Sequence, residues 1–278
     1  MTWSHARGHG RAAGVPGRRT ADKESLTLAG RAGFVARGVV YALIGVLAVQ
    51  IAFGEGEESA DRQGALGQIA AQPFGSVMLW ALAAGFGCMT VWRGAGAILA
   101  RGAERKVPAR LLNGGRAVFY AAVCWATAAY AAGSGGGGSG NAQPQDWTAA
   151  ALKLPYGRVL VALAGAVLIG VGVVLAVRAA MRRFLRKLDS GAMSPRTWQA
   201  ITGMGMGGGV ARGLVFAAAG CFVLIAALTF DPHRAKGLDA TLRSFTQTPA
   251  GPWLLVAVAV GLVLFGGFSF ASARWRRL

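Results

Sequence analysis

The chain has 278 residues, is 54% hydrophobic before its 43 glycines are counted, and is only 14% charged. A soluble globule of this size could not hide so much apolar surface. Intrinsic disorder, collagen and a disulfide-stapled secreted module are excluded as well. The formal net charge of +18 would suggest nucleic acid in a soluble chain, and must here first be placed relative to a membrane.

Residues 1–27 are polar and basic and lack the short apolar core and small-residue cleavage site of a secretory signal. They read as a disordered basic cytoplasmic tail. Six apolar segments follow, at about 33–53, 76–99, 113–132, 157–179, 210–230 and 252–273. A membrane span needs about 20 mainly apolar residues. The first, third and fifth segments reach that length only if Arg37, Arg116 and Arg212 are counted inside the helix. A fold class follows: all-α, polytopic, six transmembrane helices.

The loops set the expected orientation. Of the 29 Lys and Arg, 23 fall in the N-terminal region, the second and fourth loops and the C-terminus. Cytoplasmic loops carry the Lys/Arg excess, so both termini are expected to be cytoplasmic. Seven of the 11 acids lie on the other side, with Glu55, Glu57, Glu58 and Asp61 crowded into one loop. The +18 is then accounted for by anionic headgroups on the cytoplasmic side, with no nucleic acid. Ala/Gly/Arg-rich, Lys-poor usage fits a high-GC bacterial genome and hence a bacterial plasma (inner) membrane.

The chain is internally repeated. Gly33-Phe-Val-Ala-Arg37-Gly-Val-Val-Tyr41, Leu112-Asn-Gly-Gly-Arg116-Ala-Val-Phe-Tyr120 and Gly208-Gly-Val-Ala-Arg212-Gly-Leu-Val-Phe216 align without gaps. Each Arg is followed at +1 by Gly or Ala, at +4 by an aromatic, and at +8 by Gly45, Cys124 or Gly220. Pro73-Phe-Gly75, Pro155-Tyr-Gly157 and Pro249-Ala-Gly251 precede the other three segments. Leu66/Ile69 and Leu242/Phe245 stand at matching offsets before the Gly, and predict a short surface helix before each turn. Thr148 and Ala151 keep that pattern only weakly. Three parallel two-helix hairpins result, over 28–105, 106–188 and 189–278, with a pseudo-threefold axis along the membrane normal.

At these residues the chain resembles a known bacterial membrane family. The start Arg31-Ala-Gly33-Phe-Val-Ala-Arg37-Gly-Val-Val-Tyr41 and the triplication are similar to the family catalogued as domain of unknown function 1206. The resemblance covers roughly residues 28–275, with Leu112 and Ala117 departing in the middle copy. It implies an integral membrane protein, and no reaction, substrate or catalytic residue.

Few side chains suggest chemistry. An Arg one turn inside an apolar helix either snorkels to headgroups or has a partner. Residues i and i+4 share a helix face, so Arg37–Tyr41, Arg116–Tyr120 and Arg212–Phe216 are candidate cation–π pairs. The bland expectation is contact with lipid headgroups; the alternative is an anion ring on the pseudo-threefold axis. Gly203–Gly208 and Gly133–Gly138 match GxGxxG literally but lack the strand and acid of a dinucleotide site. The first is expected to ease a helix start and the second to form a loop. His5, His9, His233 and the three cysteines have no metal-ligand spacing, so neither metal nor cofactor is expected. No Asp or Glu lies within a span core, which argues against proton or sodium coupling and leaves few candidates for intramembrane hydrolysis. Ala83/Gly87, Ala166/Gly170 and Ala257/Gly261 are small pairs at Ala-x-x-x-Gly spacing, expected to pack helices. The leading expectation is a non-catalytic structural or interaction protein whose partners are membrane lipids. A protein partner and a homo-oligomer are left open. A small-solute transporter or channel along the axis is the alternative, and a membrane enzyme comes third. A polar cavity on the axis would favour transport, and a dry Ala/Leu/Val-packed one a scaffold.

Overall fold

A computed structural model describes residues 16–53, 60–98, 107–133, 142–189, 191, 193–245 and 251–276. Among them nine α-helices follow in chain order. They are α1 (Pro16–Ala52), α2 (Arg62–Ala70), α3 (Gly75–Ile98), α4 (Val107–Ala131), α5 (Ala142–Leu152), α6 (Gly157–Ala180), α7 (Pro195–Thr229), α8 (Leu238–Phe245) and α9 (Gly251–Trp275). Short 3-10 turns cover Arg183–Lys187 and Pro232–Arg234. The described residues contain no strand beyond one isolated bridge, Leu188 to Arg276.

Five helices are long and apolar enough to cross a membrane: Glu24–Ala52 within α1, α3, α6, α7 and Trp253–Trp275 within α9. The sequence reading expects six. The remaining one, α4, has 25 residues, but Arg110, Asn113 and Arg116 fall in its first half and make it less apolar. Two helices run further than their apolar segments. α1 begins at Pro16, inside the expected tail, and α7 begins at Pro195, so the Gly203–Gly208 run lies within a continuous helix and does not start one. Ser194 caps α7 by accepting from the Thr197 N–H, with Pro195 at the first helical position.

The short helices expected before each turn form in all three copies, as α2, α5 and α8. Leu66, Ile69, Thr148 and Leu242 are their buried anchors. The turns into α3 and α6 share one geometry. Phe74 (φ 64°) and Tyr156 (φ 63°) take the left-handed conformation, rare for an aromatic, just before Gly75 and Gly157. A methyl group at either Gly would collide with the last carbonyls of the preceding short helix. Pro249 and Ala250, their counterparts, lie outside the described residues. So do Glu55, Glu57, Glu58 and 134–140 of the Gly-rich loop.

Helix pairing is cyclic. The trailing helix of each repeat (α3, α6, α9) packs on the leading helix of the next (α4, α7, α1). Small residues let these pairs approach, because they leave no side chain between the backbones. A methyl group built at Gly213 would stand 2.6 Å from the Gly172 carbonyl oxygen, and one at Gly220 2.9 Å from that of Gly165. On α1, a methyl group at Gly38 would stand 3.1 Å from the Gly266 carbonyl oxygen, and one at Gly45 2.9 Å from that of Ala259. In the third pair the Cys124 thiol donates to the Ala83 carbonyl at 3.2 Å.

These contacts fall on aligned positions. On the leading helix they are the +1 and +8 residues from the repeated Arg. On the trailing helix they lie 8 and 15 residues after the turn Gly at Gly165/Gly172 and Ala259/Gly266, and 8 after it at Ala83. The Ala-x-x-x-Gly expectation therefore needs correction. Ala83, Gly87 and Gly261 face neighbouring helices. Ala166, Gly170 and Ala257 are exposed, with open space around Gly170. Spacing alone did not supply the register; the distance from the turn does.

Within a repeat, the leading and trailing helices pack in the first (α1/α3) and third (α7/α9) copies, and α4/α6 do not. The sequence explains the exception. Gly33 and Gly208, four residues before the Arg, receive Met89 and Phe265, both 14 residues after the turn Gly. Gly85 and Gly261 receive Ala36 and Ala211 in the same way. The middle copy has Leu112 and Val167 at the two glycine positions, and both are at least half exposed (50% and 57%). Two branched side chains stand where backbones would have to touch.

Candidate functional site

The leading helices α1, α4 and α7 line a cavity of about 410 Å³, with single side chains from α3, α6 and α9. That volume is in the range of ligand-binding pockets, about 300–1,000 Å³. Val40, Ile44, Val123, Val215 and Val223 form an apolar wall. From Arg212 to Val223 the cavity follows α7 for roughly 16 Å at 1.5 Å per residue. Arg37, Tyr41, Tyr120 and Arg212 line one end, and Asp61, Arg62, Gln63 and Lys236 the other.

The three repeated Arg residues stand at matching heights. Arg37 and Arg116 lie 15 residues before the ends of α1 and α4, and Arg212 lies 17 before the end of α7. They are within electrostatic reach of one another, and all three are half-buried. Arg37 and Arg212 line the cavity; Arg116 stands beside it. The repeat thus brings three cations from three helices to one end of the cavity.

Their aromatic contacts differ from the i to i+4 expectation in two of three copies. Arg212 does lie over Phe216, at 5.2 Å to the ring centroid. It also lies over Tyr41 of the first copy, at 5.4 Å. Arg37 stacks on Phe34, one turn earlier, at 4.9 Å, instead of Tyr41. Tyr120 is buried, stacks on Phe86, and faces Arg37 and Arg212 across the cavity rather than only its own Arg116. Packing around the cavity, not spacing along one helix, decides these pairs.

Four further residues were not marked by the repeat. Phe265 of α9 sits between Arg37 and Arg212, 5.0 Å from each guanidinium. Ser269, one turn on, is fully buried and accepts from the Arg37 Nε at 3.2 Å. Arg276, just past α9, lies over Phe34 and Trp92 at 4.8 and 5.8 Å. Burial, with Arg93, Arg37 and Arg116 close by, pushes it down to about 9. Arg93 lies over Trp92 at 4.3 Å. The signal for Phe265 was its place 14 residues after the turn Gly. Arg93 and Arg276 belong to single copies and gave none.

Carboxylates are scarce along the long helices. No Asp or Glu occurs in α3, α4, α6, α7 or α9, and none in α1 after Glu24. Two ion pairs, Arg234–Asp231 and Arg243–Asp239, lie on the face carrying α8. The Arg212 Nε is buried without a hydrogen-bond partner. A buried charge-bearing N–H with no acceptor is costly, and an anion would remove that cost. At the opposite end Asp61 caps α2 by accepting from the Gly64 N–H at 3.0 Å. Burial and Asp239 raise its carboxyl above the usual range, against the opposing pull of that hydrogen bond. Burial lowers Arg62.

Among the described residues no group of three His, Cys, Asp or Glu is placed to hold a metal ion. Cys88 and Cys124 are half-buried, Cys221 is exposed, and all three are free.

The model of the family Domain of Unknown Function (DUF1206) matches three segments, residues 32–100, 113–182 and 207–276. The chain is 30% identical over 253 residues, 90% of each chain, to Uncharacterized protein YxxB of Bacillus subtilis (strain 168). No solved structure matches. The chain belongs to the DUF1206 family: an all-helical, three-repeat protein with membrane-type helices.

Proposed function

We propose that this DUF1206 protein is a non-catalytic, six-span protein of a bacterial plasma membrane that binds an anion on its pseudo-threefold axis. In this reading α4 is the sixth span. It crosses the membrane because Arg110, Asn113 and Arg116 all lie near one end of the helix, where long cations reach headgroups. Both termini are cytoplasmic, following the Lys/Arg bias, so the cavity's Arg end lies toward the inner leaflet.

The observation that carries the proposal is the convergence of Arg37 and Arg212 on one cavity, with no carboxylate near them on the surrounding long helices, where none follows Glu24 of α1, and an orphaned Arg212 Nε. A purely structural role asks for a dry, packed axis. Snorkelling alone asks for guanidinium groups pointing out to headgroups, not toward each other. Carriage along the axis is the second reading. It is favoured by the cavity's far end, where Arg62 and Lys236 offer a second pair of cations.

Binding is tested on the purified full-length protein by its thermal stability in inorganic phosphate and pyrophosphate. A ligand that binds only the folded state stabilises it by RT ln(1 + [L]/Kd), so the midpoint should climb with anion concentration. Arg37→Lys and Arg212→Lys keep the charge but lose the planar fork, and should blunt the climb at unchanged abundance. An anion response identical in wild type and both Lys variants would reject the proposal.

A further inference from the structure

The cavity is enclosed by packed helix pairs on every side but one. α4 and α6 stand apart, and the side chains reaching the cavity from them at that seam are Phe119 and Leu168. Phe119 lines the cavity and is also 57% exposed. It therefore stands in a mouth that opens sideways. The surface beside the mouth is apolar: Val118 on α4 and Leu163, Val167 and Val171 on α6 are all exposed. An opening of this composition at membrane depth faces acyl chains, which leave such side chains unpenalised.

Behind the mouth the lining is amphipathic. An apolar wall ends on Arg37 and Arg212. Resting on the anion-site reading above, we infer that the cavity takes an anionic glycerophospholipid from the bilayer through the α4/α6 cleft. The phosphate sits at Arg37 and Arg212, and one acyl chain lies along Val40, Ile44 and Val215. About 410 Å³ suits a drug-sized ligand and not a whole diacyl lipid, so the second chain stays in the cleft. A small soluble anion would occupy the Arg end and leave the apolar wall unfilled. The cationic end also lies on the side of the basic loops, where anionic headgroups concentrate. The seam is open for a reason in the sequence: Leu112 and Val167 replace the glycines that close the other two hairpins.

The test uses purified full-length protein titrated with phosphatidylglycerol, phosphatidylcholine and inorganic phosphate, with bound lipid counted by native mass spectrometry. Wild type should retain phosphatidylglycerol in preference to phosphatidylcholine. The double variant Arg37→Gln/Arg212→Gln should weaken phosphatidylglycerol and phosphate alike, by about tenfold or more. Leu168→Trp narrows the mouth and should weaken phosphatidylglycerol about tenfold while sparing phosphate. Phe119→Ala, at an exposed position, should preserve the fold and speed phosphatidylglycerol exchange. If the Arg double variant weakens phosphate, but phosphatidylglycerol is not preferred or responds to neither cleft variant, lateral lipid uptake is refuted and the anion site stands. If the Arg double variant changes neither probe, both readings fall.

Discussion

The outer hairpins and the middle hairpin are copies of one design that pack differently. In α1/α3 and α7/α9, Gly33 and Gly208 let Met89 and Phe265 lie against the leading helix, while Gly85 and Gly261 receive Ala36 and Ala211. In α4/α6 the same positions are Leu112 and Val167, and the helices separate. The cyclic contacts between repeats survive in all three places. A six-helix ring can thus be closed by packing between repeats and opened at one seam by residues within a repeat. That seam gives the central cavity an exposed side.

The largest effect is expected from copying the middle hairpin's residue into an outer one. Gly208→Leu would drive a side chain into the Phe265 backbone, where no flexible group can yield. A loss of about 3 kcal/mol or more is expected, read as a collapse of folded yield in detergent. Ordinary yield and melting temperature would break the comparison at its root.

Next comes the axis itself. Arg212→Gln removes the guanidinium held over Tyr41, Phe216 and Phe265. Anion affinity is expected to fall by about 1.5–3 kcal/mol, the range for hydrogen bonds to charged groups. Stability without anion should hold or rise, because one of several clustered cations is gone. Equal anion affinity in the variant and wild type would show that the repeat's Arg is not a ligand-holding group.

A smaller effect is expected at the opposite end. Asn caps helices as well as Asp does, so Asp61→Asn keeps the α2 cap and removes a buried charge beside Asp239. The folded-state pKa of Asp61 is raised above its unfolded value near 3.8. The folded protein then binds more protons than the unfolded chain between those two values. The group's contribution is therefore full below about 3.8 and is lost as pH rises through the folded pKa. The variant should gain a few degrees in melting temperature at neutral pH and show a flatter pH dependence in the mildly acidic range. A variant that melts lower at neutral pH would show that the carboxylate is stabilising there.

Much of this arrangement was legible in the residues. The repeated Arg, its small neighbours at +1 and +8, and the Pro-Gly turns are local features on one strand of text. They correctly mark the cyclic interface on the leading helices. The trailing-helix partners were misread at Ala166, Gly170 and Ala257, because a four-residue spacing says two small residues share a face but not which face meets a neighbour. Phe265, Ser269, Arg93 and Arg276 join the site only when α3 and α9 flank α1, which is a tertiary fact. The expected sixth span is the opposite case: α4 has the length, while Arg110, Asn113 and Arg116 dilute its hydropathy, and only five of the described helices are long and apolar enough to cross a membrane.

The central claim is that the middle hairpin is held open by Leu112 and Val167. It is tested most directly by a spin-label distance across that seam. Leu111 on α4 and Val174 on α6 are both exposed, 70% and 51%, and can carry labels as Leu111→Cys and Val174→Cys after Cys88, Cys124 and Cys221 are replaced by Ser. Adding Leu112→Gly and Val167→Gly gives the middle copy the glycines of its neighbours. A shorter, narrower distance is expected in that variant than in the labelled parent. The same distance in both, or a parent already as close as packed helices at about 8–10 Å between axes, would contradict it.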